Sequence, residues 1–533
     1  MWLQPPPVLP IPSRSGPEGP PRPFGVEPPP GRRVSPGTDP RLVAAQNRAL
    51  LDGPFPRGGL IRGVSEGILL LDEDAEVRDL AVRRIRDTGA SVVRIPVDWR
   101  DTVLADPPQG FEADNPANPA YRFARIDAAV LSAAAAGLTP LLVVSHAPAF
   151  AEAPHRWPYA FPGSWAPSPI ALEQFAAALA RRYDGAFHDS QAPGGVLPRV
   201  KLFQAWNEPN LARYLEPQWI AQRGRWSAFS PLLYRQMLNA FYEGVKSIQP
   251  ADTVVAAGVA PNSEPEGVGR MAPVRFLRAL LCLPPAGRRG SGRVRATCSN
   301  PPHFDVLDFH PLSVGDPDVP APSSVEISIS DAAKLTSLLQ QAERLHAALP
   351  SGAKPVWITE LDWESAPQSP HGVPPVLQAR WISRALHRLW VAGVSLVSWQ
   401  YLVDPYPGVK LNTPTGGLVE FPRAAGLYSA GPGGDPDLAR PKRFLQGFTL
   451  PFDPLRVDRR HVRVWALLMR PFQRVLLQGS LHAGQWRTIA HLRSDRFGVL
   501  NALLVLTGTV RLRLLAGALA SAPVSLPARH SRL

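Results

Sequence analysis

Between residues 60 and 448 the sequence carries eight short apolar runs, separated by segments whose apolar residues recur at helical spacing. The runs are Leu60 to Ser65, Ser91 to Val97, Thr139 to Ser145, Val200 to Trp206, Thr253 to Gly258, Phe304 to His310, Pro355 to Glu360 and Val394 to Tyr401. Helical patterns fall between them. Asp74 to Thr88 places Val77, Leu80, Ala81 and Ile85 on one face and stops at Gly89, and Ala124 to Ala136 is closed by Gly137. Further helices are expected at 170–183, 231–248, near 272–282, at 331–348, and around Leu377, Trp381, Ala385 and Leu389. Strand and helix in strict alternation predict an α/β fold, a (β/α)8 TIM barrel over residues 59–448. A doubly wound open sheet is the competing architecture, but no glycine-rich phosphate turn follows the first run.

The two ends differ from the middle. Residues 1–58 are dense in Pro, Gly and Arg without periodicity, too poor in apolar surface to offset their ordering entropy, and are expected to be disordered. Residues 449–533 hold short, alternating, turn-bounded runs at His461–Leu467, Arg474–Gly479, Gln485–Leu492 and near 498 and 509, the pattern of a small all-β sandwich. The apolar C-terminal stretch around Leu500 to Ala520 is interrupted by Arg511 and Arg513, which predicts two strands and no membrane span. Met1 to Arg14 lacks a basic start followed by a continuous apolar run, so no export signal is expected in it.

The formal charge of +13 raises nucleic acid as a partner. The arginines read as scattered over helices and loops with no basic stripe among aromatics, so none is expected. Cys282 and Cys298 flank a Gly- and Arg-rich loop. A disulfide there would remove about 3 kcal/mol of loop entropy from the unfolded chain and would suit an oxidising compartment. Two unrelated buried thiols are the alternative. No metal or cofactor is expected, since no second Cys or His pair lies nearby.

A barrel of this kind projects its chemistry from the C-terminal ends of its strands. Arg94 lies on the second run, and His146 follows the third. Asn207 and Glu208 end the fourth, His310 the sixth and Glu360 the seventh, while Trp399 lies on the eighth. Two glutamates converging on one mouth are what glycosidic cleavage requires, one to protonate the leaving oxygen and one to act at the anomeric carbon. A turn-forming Asn-Glu-Pro-Asn is the plain reading of the first, and a core or packing role is the plain reading of each histidine and of Trp399.

With Asn207-Glu208-Pro209 after strand four and Ile358-Thr359-Glu360 ending strand seven, residues 60–450 resemble clan A of the glycoside hydrolases, nearest to the cellulase-like family 5 and the xylosidase-like family 39. The resemblance implies a retaining O-glycosidase acting on a β-linked glycan or glycoside. Glu208 would be the acid/base and Glu360 the nucleophile, with Asn207 on the sugar 2-hydroxyl and Arg94 orienting Glu360. A carboxylate about 5 Å away would keep Glu208 protonated until Glu360 is glycosylated. Trp399 would stack on a pyranose, and His146 and His310 would bond hydroxyls. Trp157, Trp165 and Trp363, in proline-rich loops of the same face, would suit a glycan cleft or staple those loops.

Relatives often carry a Tyr two residues after the sixth-strand His; here Leu312 stands there, and Tyr401 or Tyr214 is the candidate substitute. The resemblance also implies a carbohydrate partner, an extracellular or cell-surface location, and an accessory role for the sandwich; the sequence does not fix the oligomeric state, and a monomer is the working expectation. The alternative from another class is a non-catalytic glycan-binding protein of the cell surface.

Overall fold

The computed structural model describes residues 47–526 apart from short segments at 191, 223, 285–295, 312–314, 370–371, 406–409, 413–417, 421–423, 481–484 and 509. Eight parallel strands close into a barrel: β1 (Ile61–Ser65), β2 (Val92–Asp98), β3 (Thr139–Ser145), β4 (Leu202–Ala205), β5 (Thr253–Val259), β6 (Val306–Phe309), β7 (Val356–Leu361) and β8 (Val394–Gln400). Each expected strand is present, with ends shifted by no more than two residues. Between them run α1 (Ala75–Asp87), α2 (Ala124–Ala135), α3 (Pro169–Arg182), α4 (Ser230–Ile248), α5 (Pro273–Leu280), α6 (Ala332–Arg344) and α7 (Pro375–Val391). Capping marks several helix starts: Asp74 accepts from the Glu76 amide and Ser168 from the Ala171 amide, each satisfying one orphan donor.

Alternation along the strands builds the interior in layers. Val92, Leu141, Leu202, Val255, Val306, Trp357 and Leu396 form an apolar plug inside the barrel. Two residues further along the same strands the inward side chains turn polar: Arg94, Gln204, Asp308, Thr359 and Ser398, all buried. Gly63 lets this layer close, because a Cβ there would stand 2.7 Å from the Ser398 hydroxyl. The outward side chains Val93, Ile95, Val144 and Phe203 pack with Ile85, Val130, Phe175, Phe241 and Leu386 of the helices in one continuous core.

The C-terminal region is a sandwich of two antiparallel sheets. One holds β9 (Phe452–Arg456), β10 (His461–Leu467) and β13 (Val499–Val505). The other holds β11 (Arg474–Ser480), β12 (Arg487–Arg493), β14 (Val510–Ala516), β15 (Leu519–Ala520) and β16 (Val524–Leu526). Val462, Val464, Leu477, Leu512 and Leu514 meet in its separate core. As expected, Arg511 and Arg513 fall within a strand, β14, and the apolar stretch divides between β13 and β14.

Residues 1–46 of the expected disordered segment lie outside the described residues. That expectation ran too far, because residues 47–52 are helical. Leu50 and Leu51 are buried with Leu455 of the sandwich, and Asn47 Oδ1 accepts from Arg388 Nη2 of α7. Two leucines with a place to be buried outweigh the local proline density. Cys282 and Cys298 are joined in a disulfide with their Cα atoms 5.4 Å apart, linking the end of α5 to the approach to β6.

The sandwich is anchored to the barrel through α7. His387 stacks on Trp465 of β10 at 4.8 Å and faces Asp453 Oδ2 of β9 at 2.7 Å through Nδ1. Arg384 donates from Nε to the same oxygen at 2.8 Å and from Nη1 to Asp318 at 2.7 Å. Burial alone would raise the Asp453 carboxyl, but Arg384 and His387 hold it below the ordinary range. Removing one member of a buried charge cluster strands the others. Asp453→Ala should therefore cost about 3 kcal/mol in urea unfolding followed by tryptophan fluorescence. A loss under about 1 kcal/mol would assign the junction to apolar packing instead.

Candidate active site

Two irregularities aim the side chains at the barrel mouth. Along the β7–β8 pair, Val397 faces Ile358 while Trp399 faces Leu361, so β7 carries one extra residue. The bulge breaks strict alternation, and the neighbours Thr359 and Glu360 both reach interior partners. At the end of β4, Trp206 (φ 73°) and Glu208 (φ 39°) adopt the left-handed conformation that side chains normally avoid. Trp206 is fixed by burial and by its Nε1–H on the Tyr214 carbonyl at 2.8 Å. Asn210 clamps the following loop, donating to the carbonyls of Ala260 and Met271 at 3.0 Å each and accepting from the Ala260 amide at 2.9 Å. The strain is held by anchors on both sides of Asn207 and Glu208.

Arg94 is the hub. From β2 its Nη1 donates to Glu360 Oε1 at 2.6 Å and to the Ser65 hydroxyl at 3.2 Å. Its Nη2 donates to Asn207 Oδ1 at 2.6 Å and its Nε to Gln204 Oε1 at 2.8 Å. Gln204 passes the network on through Nε2 to Asp308 Oδ2 at 2.9 Å. Asp308 also accepts from the Thr359 amide at 2.9 Å and the Thr359 hydroxyl at 2.5 Å.

His310 closes the circuit. Its Nδ1 lies 3.1 Å from Glu208 Oε1 and 3.8 Å from Glu360 Oε2, and its Nε2 lies 3.0 Å from the Thr359 hydroxyl and 3.3 Å from Asp308 Oδ2. Burial alone would lower the imidazole, but Glu360, Asp308 and Glu208 overcome it and hold it up at about 10. Oxygens of Glu208 and Glu360 lie within 4.8 Å of each other and of His310 Nδ1. That trio has the reach to ligate a cation. A guanidinium already sits on Glu360 Oε1 and would compete with such an ion for it.

The structure thus gathers Arg94, Asn207, Glu208, His310 and Glu360 into one cluster. His146 stands at the rim, facing Asp98 Oδ2 at 3.1 Å, with its ring 5.3 Å from that of Tyr214. Burial pushes the Tyr214 phenol up to about 12, opposed by Arg213 and reinforced by Glu208 and Glu360. Tyr214, one of the two candidate tyrosines, thus shares the electrostatic environment of the glutamates. Leu312 lies outside the described residues.

Trp399 corrects the expectation of a sugar platform. It lies on the outward side of β8, opposite Val64, is 1% exposed, and packs on Trp363, Phe444 and Phe448 with its Nε1–H on the Ala425 carbonyl. Its register puts it between sheet and helices, while Ser398 and Gln400 take the inward positions. Trp165 and Trp363 are buried as well, and Trp157 alone of the three loop indoles is exposed. Sequence reading missed Gln204, Asp308, Thr359 and Asp98. The signal was present for Asp308, since Val306, Asp308 and His310 share one face of an otherwise apolar strand.

Fold and site together define a closed parallel (β/α)8 barrel with a paired-carboxylate centre at the C-terminal ends of its strands. No protein-family model and no curated protein matches the sequence. Among solved structures, the chain is similar to a family 39 glycoside hydrolase from the gut symbiont Bacteroides cellulosilyticus WH2, at 17% identity over 84% of this chain and 81% of that one, with a TM-score of 0.47. It is also similar to a glucosidase from Croceicoccus marinus, at 14% identity over 85% and 95% of the two chains, with a TM-score of 0.47. The GH39 enzyme from Xanthomonas axonopodis pv. citri aligns at 13% identity over 89% and 94%, again at 0.47. Similarity at this distance assigns no activity, and the chemistry rests on the geometry above.

The raised His310 value has a consequence for stability. Its folded value, about 10, lies above the ordinary 6.5, so its contribution is complete below about pH 6.5 and is lost as pH rises through about 10. Unfolding free energy measured across that window should fall more steeply for the wild type than for His310→Asn. Equal slopes would show the imidazole to be neutral.

Proposed function

We propose that the chain is a retaining O-glycoside hydrolase that cleaves a β-linked glycan or glycoside by double displacement. The observation that carries this reading is the spacing of the two glutamates. Retaining enzymes hold their carboxyl groups about 5–5.5 Å apart, whereas inverting enzymes leave about 6.5–9.5 Å for a water. Oxygens of Glu208 and Glu360 within 4.8 Å of each other fit the first class.

Charge balance supports distinct roles. The mouth holds two cations, Arg94 and the His310 imidazolium, against three carboxyl groups, Glu208, Asp308 and Glu360. Asp308 accepts three hydrogen bonds and Glu360 takes the direct guanidinium contact. Glu208, which faces His310 instead of Arg94, is assigned as the acid that delivers a proton. The His310 Nδ1–H bonds its Oε1, which leaves Oε2 to carry that proton toward a glycosidic oxygen.

Glu360 then attacks the anomeric carbon as Glu208 protonates the departing oxygen. In the second half, Glu208 takes a proton from water, whose oxygen displaces Glu360. The Asn207 carbonyl is committed to Arg94, which turns its amide NH2 outward as a donor for the sugar 2-hydroxyl. His146 and Asp98 at the rim offer further hydroxyl partners. The disulfide supports an exported, oxidising location. Among the described residues no helix is long and apolar enough to cross a membrane.

Glu208→Gln and Glu360→Gln should each reduce hydrolysis of an activated aryl β-glycoside by about 10³-fold or more while sparing binding. Proton NMR of the wild-type reaction should show the β-anomer as first product, and a chelator should leave the rate unchanged. An inverted first product would replace double displacement with single displacement. An intact protein that binds glycosides without turnover would make it a lectin-like barrel.

A further inference from the structure

The net charge of the chain is not spread along it. Residues 449–533 contain 13 arginines, no lysine, three aspartates and no glutamate, which accounts for +10 of the chain's +13. All three aspartates are occupied away from the outer face of the five-stranded sheet. Asp453 is buried at the barrel junction, Asp458 binds His461 and its own turn, and Asp495 accepts from the amides of Phe497 and Val499.

Pairing collects four of the 13 arginines on that outer face. Val475 and Leu477 of β11, with Leu512 and Leu514 of β14, point into the sandwich core. Their neighbours therefore point out. Across the sheet Arg474 faces Arg493, Leu476 faces both His491 and Leu515, Gln478 faces Arg513, and Ser480 faces Arg511. Among the described residues none of these four arginines is paired with a carboxylate. Arg474, Leu476, His491, Arg493 and Leu515 line a surface groove of about 380 Å³. The sequence reading of scattered arginines missed this because the face is assembled at i, i+2 spacing across three strands.

We propose that this face docks an acidic polysaccharide of the polyuronate type, its carboxylates on Arg474, Arg493, Arg511 and Arg513 and the C–H faces of its sugars against Leu476 and Leu515. The planar guanidinium fork matches a carboxylate with two parallel hydrogen bonds. Neighbouring strands space such groups about 4.8 Å apart and alternate residues about 6.8 Å apart, a periodic array suited to a polymer with regularly spaced charges. Trp486 carries Arg513 at 4.3 Å and Arg511 at 5.7 Å, and Phe472 carries Arg493 at 5.0 Å, so three of the four guanidinium groups are held in place by ring contacts. Leu476 and Leu515 are half-buried among the arginines.

The polysaccharide class rests on the glycosidase reading, but the binding can be tested without it. The full chain should bind polygalacturonate in isothermal titration calorimetry with an affinity that weakens as salt rises, and should not bind neutral xylan at the same site. Arg511→Gln/Arg513→Gln and Arg474→Gln/Arg493→Gln should each weaken binding tenfold or more, and Arg511→Lys/Arg513→Lys should restore part of it. Melting temperatures and kcat/KM on a small aryl glycoside should stay unchanged in all three. Absence of polygalacturonate binding, binding indifferent to these variants, or tighter binding to a 20-base-pair DNA duplex or to vesicles containing phosphatidylserine would each overturn the proposal. Loss of turnover on every aryl glycoside would remove the catalytic reading and leave these binding outcomes to decide alone.

Discussion

A guanidinium cannot be left unpaired inside a barrel, and the organisation of this mouth follows from satisfying Arg94. Its donors reach Ser65 on β1, Gln204 on β4, Asn207 beyond β4 and Glu360 on β7, so one side chain ties elements from three separate parts of the closed sheet. A lysine would present a point charge where the geometry needs a planar fork. Beneath it the apolar plug around Trp357 seals the barrel, which keeps the charges above it in a medium where each bond counts for more than in water. The same surroundings make an unmatched charge expensive, and so Asp308 and His310 enter as the second half of a balanced set.

Backbone strain is spent where this chemistry is placed. The non-glycine residues His146, Trp206, Glu208, Ala257 and Tyr401, all with positive φ, lie at or just beyond the C-terminal ends of β3, β4, β5 and β8. Each departs from the extended path near the mouth of the barrel. Packing over-determines them: Trp206 is sealed in the core, and Gly163 closes on the backbone of His146 so tightly that a Cβ would stand 2.8 Å from it. Strain held by so many anchors serves pre-organisation, because the glutamates need no rearrangement to face one another.

The barrel was legible in the sequence because its signal is repeated. Eight apolar runs in alternation with helical spacing leave few topologies, and small errors at their ends do not change the count. Five of the seven proposed site residues fall in the cluster for a related reason, since strand-end position in a barrel carries functional meaning of its own. Trp399 failed because strand-end position says nothing about side; the bulge and register that turn Ser398 and Gln400 inward are set by contacts with β7 and β1. Gln204, Asp308 and Thr359 were hidden by looking at strand ends alone, although each breaks the apolar texture of its strand at an inward position. The helix at residues 47–52 was hidden by composition, because its stability comes from Leu455 and Arg388, some 340 to 400 residues away.

Charge is divided between the two parts of the molecule in opposite ways. In the barrel mouth, two cations face three carboxyl groups within a few ångströms, and the result is a fixed electrostatic field. On the sandwich, arginines outnumber acids so heavily that cancellation within the domain is impossible, and four of them stand on one sheet face with no carboxylate partner among the described residues. The two arrangements are not free to drift apart. Asp453, His387 and Arg384 form a buried, directional junction, and Arg62 at the start of the barrel donates to the carbonyls of Phe448 and Thr449 where the chain leaves for the sandwich. A loose tether would have needed none of these bonds. Fixing the sandwich to α7, the helix that connects the Glu360-bearing strand β7 to β8, sets the basic face at a constant direction from the mouth. A polymer held on one would then reach the other at a fixed register instead of at any point along its length.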